Sequence, residues 1–369
     1  MKNVLTAGAA LLLTTSIASA GGLDRSGQPV GLIFEEGNAL QLSFGFVMPS
    51  LTGEVSNPAF PVPVSQGAES GDVAGDYSVL GGGLKAQTTE QLSVALIFDQ
   101  PYGAAVSYAD ADPTYPVAGT EANVRSTGVT GLARYEINEN FSVHGGVRLV
   151  YVEGDYTLVQ GGSTVYTSDY SRDTGMGYVA GVAYERDDIA LRVALTYSSE
   201  VEFELDGTNG DLTTTMPESI NLDFQTGIAA DTLLFGSVRY AAWDGVALID
   251  STYSPLAGPL VEYNNDVYTY NVGIGRRLNS KLAASVSVGY EAATDEVAGN
   301  LSPSDGYVSL SVGGSYQVSD ELEISGGVRY VQLGDAVTKL TPDAFPSESD
   351  TTFADNSAVA IGISATYSF

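Results

Sequence analysis

From Asn38 onward, apolar residues fall at every second position in run after run. Leu40, Leu42, Phe44 and Phe46 alternate with Gln41, Ser43 and Gly45. Leu92, Val94, Leu96 and Phe98 do the same, as do Ile189 to Tyr197, Ile220 to Phe224 and Val359 to Phe369. Period two marks strands with two unlike faces. The connections also alternate in length. Six are very short, around residues 88–90, 138–140, 186–188, 229–231, 278–280 and 319–321. Seven longer polar stretches lie between them, at roughly 48–77, 100–121, 158–171, 204–214, 244–266, 292–305 and 335–356. Six turns and seven loops join fourteen strands and leave both barrel ends on the short-turn side. The expected fold is therefore all-β: a fourteen-stranded antiparallel barrel spanning a bacterial outer membrane.

A soluble β-sandwich alternates too, but three details favour the barrel. Tyr135, Phe141, Tyr184 and Tyr316 lie on the apolar face beside the short turns, as an interfacial girdle does. The other face is Gly, Ser, Thr, Asn and Arg, which suits a wet or plugged lumen and not a dry shared core. The chain also ends on an outward Phe369 after Tyr367. Closure further spares long apolar strands an exposed edge in lipid.

Ahead of the strands stand Lys2, an apolar stretch from Val4 to Leu13, and Ala18-Ser19-Ala20. This is the pattern of a cleaved export signal over residues 1–20, too short for a spanning helix. Residues 21–37, GGLDRSGQPVGLIFEEG, follow, and 38–369 make the barrel. The 21–37 segment, with Gly21, Gly22, Leu23 and Phe34, is long enough to tuck into the lumen as a plug.

Composition excludes several functions. A formal net charge of −30 gives no basic footprint for nucleic acid. One His and no Cys leave no zinc finger, iron–sulfur cluster or thiol nucleophile. His144 lies two residues after Ser142 on one strand, which forms no evident catalytic dyad, and no P-loop or G-x-S-x-G is present. The expectation is a non-enzyme with no cofactor and no metal.

Strand parity points Arg148, Arg192, Arg239, Arg277 and Arg329 into the lumen, five of the fifteen basic residues. A guanidinium fork suits a carboxylate, either a ligand headgroup or an inward acid such as Asp99, Asp223 or Glu323. Asp99-Gln100-Pro101-Tyr102-Gly103 follows the apolar run of the third strand. Proline lacks a ladder donor and glycine permits a bulge, so pairing is expected to break or bend there.

Several segments resemble the FadL/TodX-type family of outer-membrane transporters for long-chain fatty acids and other hydrophobic compounds. They are the hairpin NVRSTGVTGLARYEINENFSVHGGVRLVYVEGDY at 123–156 and the pair DTGMGYVAGVAYERDDIALRVALTYSSEVEF at 173–203. Met216-Pro217-Glu218-Ser219 with Tyr240 and Trp243, and the hairpins over 270–290 and 308–330, complete the resemblance. It implies passive transport of a long-chain fatty acid or another hydrophobic small molecule, with an acid head near an Arg and a tail against Phe235 and Trp243. It also implies a side window at Asp99, Pro101, Tyr102 and Gly103, through which ligand leaves into the membrane. The further partners are outer-membrane lipid, lipopolysaccharide and the barrel-assembly machinery, and the expected state is a monomer. Two other readings remain open on the residues alone, a general or anion-preferring diffusion porin and a surface adhesin or receptor barrel.

Overall fold

The structure is a computed structural model that describes residues 23–58, 64–294, 297–340 and 349–369. The export signal at 1–20 and the plug residues Gly21 and Gly22 lie outside the described residues. Fourteen antiparallel strands form the wall. They are β1 (Ala39–Ser50), β2 (Tyr77–Gln87), β3 (Leu92–Asp99, resuming at Gly103–Ser107), β4 (Glu121–Glu136), β5 (Phe141–Gln160), β6 (Ser163–Arg186) and β7 (Leu191–Ser198). Then come β8 (Ser219–Ala229), β9 (Thr232–Ala241), β10 (Val267–Arg277), β11 (Leu282–Glu291), β12 (Tyr307–Gln317), β13 (Leu322–Leu333) and β14 (Ser357–Ser368). Each pairs with its neighbours in sequence, and β1 closes on β14 from Ala39↔Ser368 to Ser50↔Ser357.

The alternation decides which face each side chain takes. Leu42, Val147, Met176, Val312 and Ile363 stand exposed on the outer face, while Ser93, Thr130, Ser142, Ser311 and Ser364 are buried on the inner one. The six short turns fall where the sequence places them. At that rim the Phe141 and Tyr184 rings lie 4.9 Å apart, and Tyr367 stacks on Phe369 at 5.9 Å.

The longer connections are more ordered than their polarity suggests. Residues 158–171 are not a loop: β5 and β6 continue beyond the wall and meet at the two-residue turn Gly161-Gly162. Both glycines have positive φ, +57° and +75°, as a primed hairpin turn requires. Elsewhere the loops build two four-stranded sheets. One joins Val201–Leu205, Leu212–Met216, Ala247–Asp250 and Val261–Glu262. The other joins Ala336–Leu340, Ser349–Phe353, Thr52–Asn57 and Glu69–Asp72. Between them lies a large apolar core, with Val55, Tyr108, Phe203, Trp243 and Phe353 fully or almost fully buried.

Candidate functional site in the lumen and at the break in the third strand

The third strand is interrupted where the sequence puts Gln100-Pro101-Tyr102. Asp99 pairs with Gly128 and Gly103 with Arg125, so β3 takes four steps where β4 takes three. This is a bulge of one residue. The ladder between β2 and β3 runs only from Gln87↔Ser93 to Gly82↔Phe98. Beyond it, the Leu80 N–H donates to Gln100 Oε1 (2.8 Å), a side chain standing in for a missing backbone acceptor. Contact resumes at the Ala74–Val106 bridge. Residues 76–81 of the second strand therefore face 99–104 of the third without a ladder. A cavity of about 110 Å³ opens at the lower edge of this interval. Lumen-facing Ser43 and Asp99 and lipid-facing Leu80, Phe98 and Ile363 all line it.

The segment before β1 is folded against this break. Gly103 N–H donates to Leu23 O and Arg25 N–H to Pro101 O, both at 2.8 Å, and Asp24 bridges Tyr102 in antiparallel fashion. Ser26 Oγ donates to Asp99 Oδ2 (2.6 Å). Gln28 adopts φ +57°, a left-handed conformation costing a non-glycine residue about 1–2 kcal/mol. Its side chain is fixed at both ends: Nε2 donates to the Tyr102 hydroxyl (2.7 Å) and Oε1 accepts from Arg148 Nη1 (2.5 Å).

Across the lumen, Arg239 grips Asp24. Its Nη2 lies 2.8 Å and its Nε 3.0 Å from Asp24 Oδ2, and Nη1 donates to Asn221 Oδ1 (2.8 Å) and Ser219 Oγ (3.0 Å). Charge-assisted forks of this kind are the strong hydrogen bonds of protein interiors. Lower in the lumen, Leu32, Ile33 and Phe34 are buried within a single 3-10 turn. The Phe34 ring meets His144 edge-on at 5.4 Å, with the Arg134 and Arg192 guanidiniums 4.9 and 5.0 Å from its centroid. Arg134 is itself ion-paired with Glu185, and Lys85 Nζ donates to Gly37 O (2.6 Å).

The five inward arginines do not gather in one place. Arg192, Arg239 and Arg329 line one cavity of about 80 Å³ beside Pro29 and Phe34. Arg148 is buried on the other side of Gln28. Arg277 ends its strand at the short-turn rim and joins none of them. The apolar pair also separates. Phe235 faces inward on β9, its ring lying across Gly273, where an added Cβ would come within 2.5 Å. Trp243 is not a lumen-wall residue: it lies past the end of β9 in the outer core, 6.4 Å from the Tyr102 ring and 4.8 Å from Tyr263. Lys85 and Arg134 carry the same inward parity as the predicted arginines and were the cations that sequence reasoning missed. Asp24 and Gln28 gave no periodic signal at all.

Above the segment the outer core holds two neighbouring cavities. A mouth of about 720 Å³ lies between the outer connections, lined by Tyr156, Tyr253, Leu260 and Tyr263 among others. It shares Tyr156, Leu260, Val261, Tyr263 and Leu301 with a narrow apolar chamber of about 50 Å³. That chamber reaches down to Leu23 and Ala104, at the break.

Residues 24–369 match the family model described as outer membrane protein transport protein (OMPP1/FadL/TodX). The chain belongs to this family of outer-membrane transport proteins. Among solved structures of the fold, a FadL homologue from Pseudomonas aeruginosa superposes with a TM-score of 0.74 at 15% identity, covering 95% of this chain and 96% of that one. The Pseudomonas putida toluene transporter TodX gives 0.64 at 13% identity, with 97% and 98% covered. A monoaromatic hydrocarbon channel, CymD, gives 0.61 at 14% identity, with 92% of each chain covered. No curated protein matches the sequence. FadL/TodX membership makes the barrel an outer-membrane transport protein.

Proposed function

We propose that the protein carries long-chain fatty acids or related hydrophobic compounds passively inward across the outer membrane and releases them sideways at the break in β3. One observation supports this above the others. The segment before β1 is hydrogen-bonded to the very residues where the wall loses its ladder, through Leu23, Asp24 and Arg25 on Pro101, Tyr102 and Gly103. Compound gathered in the outer mouth passes to the apolar chamber and meets Leu23. Moving the segment then opens the lumen and the interval between β2 and β3 together. Residues 21–37 are the plug in this reading, behind a signal peptide cleaved after Ala20.

A carboxylate ligand has a specific means of moving it. Arg239 holds Asp24 by a fork, and an incoming acid headgroup offers the same two oxygens in its place. Exchange keeps the guanidinium paired, and the displaced Asp24 carboxylate, buried in the closed state, must leave with the segment to be solvated. Arg192 and Arg329 line the same cavity as Arg239 and Arg148 lies behind Gln28, so a head would meet further guanidiniums along its path, whereas an uncharged hydrocarbon has only the apolar chamber to use. A permanently open diffusion pore fits poorly with a lumen occupied from Leu23 to Gly37.

The test is uptake of labelled oleate and of toluene by cells whose own transporters are deleted, with mass spectrometry of lipid co-purified with the barrel. The expected result is saturable oleate uptake and a retained long-chain acid. An empty barrel with steady ion conductance and no saturable uptake would reverse the assignment.

A further inference from the structure

We infer that the outer face of the wall beside the break carries a binding site for the phosphate of an outer-leaflet glycolipid, made by Arg25, Arg125 and Arg172. The inference rests on the orientation of the barrel and not on the compound it transports.

On β5 the outward residues run Phe141, Val143, Gly145, Val147, Leu149 and Tyr151, an uncharged band of the roughly 25 Å a bilayer demands. Glu153 is the next outward residue, just past Tyr151, on the side of the long loops. Arg125 on β4 faces it directly in register, and Arg172 reaches it from β6. These two are the only basic residues on the lipid-facing wall toward the loop side among the described residues. A cation pair just outside the apolar band sits at the level of lipid headgroups.

Arg125 Nε lies 3.4 Å from Glu153 Oε1, and Arg172 Nε and Nη2 both lie 3.1 Å from Oε2. Both arginine side chains remain more than half exposed, at 67% and 63%, so most of their N–H groups face outward unused. A cavity of about 160 Å³ between them is lined also by Gln100, Tyr102, Tyr151 and Arg25. Arg25 enters from the N-terminal segment, stacked 3.9 Å over the Tyr77 ring. An added Cβ at Gly103 would lie 2.6 Å from Arg25 Nε, so glycine is what admits the side chain at the break. That Nε is buried and has no hydrogen-bond partner among the described residues.

Three guanidiniums and one carboxylate line this cavity, an excess of two positive charges in a chain of net charge −30. A phosphate monoester carries about −1.5 to −2 at neutral pH and matches this excess, where a single carboxylate would leave half of it unmet. Planar guanidinium forks are also the preferred partners of phosphate oxygens. A lipid bound here has its head against Arg25 and its chains along Tyr151 and Leu149. It thereby sits as a fixed neighbour to the interval between β2 and β3.

The experiment uses the full chain in nanodiscs containing lipid A, with bound lipid counted by native mass spectrometry. Arg125→Ala with Arg172→Ala is expected to lower lipid A retention at least tenfold, with heat-modifiable gel migration unchanged. Glu153→Gln is expected to retain or raise it. Lipid A stripped of its phosphates should be retained no better by the wild type than intact lipid A is by the double variant. Equal retention of intact and dephosphorylated lipid, or equal retention by wild type and double variant, would overturn the site. Displacement of lipid A by millimolar inorganic phosphate alone would overturn its assignment to a lipid. Retention is read without any transport assay, so failure of the transport reading leaves this result interpretable.

Discussion

Asp24 lies in the fork of Arg239, with Oδ2 2.8 Å from Nη2, while its own backbone bridges Tyr102 at the break in β3. A single residue thus ties the far wall of the barrel to its weakest seam. Both side chains are nearly buried, at 7% and 11% exposed. Removing one partner of such a pair costs about 3–5 kcal/mol, because the other is left charged and unpaired. Asp24→Asn is expected to free the segment and raise ion leak through reconstituted barrels about tenfold or more. Planar-bilayer conductance checks this. Leak equal to wild type would mean that the segment is held by its other contacts.

The break itself can be repaired. Replacing 99–103 with a regular alternating strand lacking proline and glycine restores the donor that Pro101 cannot supply. Oleate binding to the purified barrel should persist while uptake by cells falls to background. Undiminished uptake would place the exit elsewhere.

Phe34 is the lower anchor of the segment, held by His144 and flanked by Arg134 and Arg192. Truncating a buried Phe to Ala costs about 3–5 kcal/mol. With Phe34→Ala, limited proteolysis of the folded barrel should cut within Leu23–Phe34, which is expected to be protected in the wild type. An unaltered digestion pattern would show that the 3-10 turn is fixed without its ring.

The outer core has a pH-dependent clasp. The Asp250 carboxylate accepts from the Tyr166 and Tyr170 hydroxyls at 2.6 and 2.7 Å and from the Thr252 and Tyr253 amides at 2.8 and 2.7 Å. Burial pushes its carboxyl upward, but these four donors outweigh burial and hold it below the ordinary value of 3.8. A group depressed in this way stabilises the fold above its unfolded value, and that contribution is lost as pH falls through the folded one. The hairpin at 160–163 should therefore become protease-sensitive on acidification below about pH 4. Asp250→Asn should show that sensitivity already at pH 7 and respond far less to acid.

Much of the wall was legible in the sequence because lipid enforces it. Each outward position must be apolar and each turn must be short on one side, so parity alone placed Arg148, Arg192, Arg239 and Arg329 correctly. The same parity applied to Lys85 and Arg134 would have found two further lumen cations. Proline and glycine likewise announced the interruption at 100–103, since both act through the backbone. The outer sheets escaped notice because water, not lipid, surrounds them, and polar Thr- and Ser-rich strands such as Leu212–Met216 resemble loops in composition. Trp243 was misplaced for a related reason: its strand ends at Ala241, and parity carries no information beyond a strand's end. The clasp of Asp24 by Arg239 spans 215 residues, and no local rule reports a partner at that distance.

The outer sheet that pairs Thr52–Asn57 with Ser349–Phe353 bears on how the barrel is assembled. It stands over the place where β1 meets β14, and Asn356 also bonds both the amide and the carbonyl of Thr52, 304 positions away. The outer half of that junction needs Ser349–Phe353 and the wall half needs β14, so neither can form until the last part of the chain has been made. Once the two outer strands have met, bringing β1 and β14 together no longer means closing a loop of some three hundred residues, whose entropic cost has already been met above the membrane. The outer sheet and the wall thus fasten one junction twice, each pairing lowering the entropic cost of the other, where the two ends of the barrel meet.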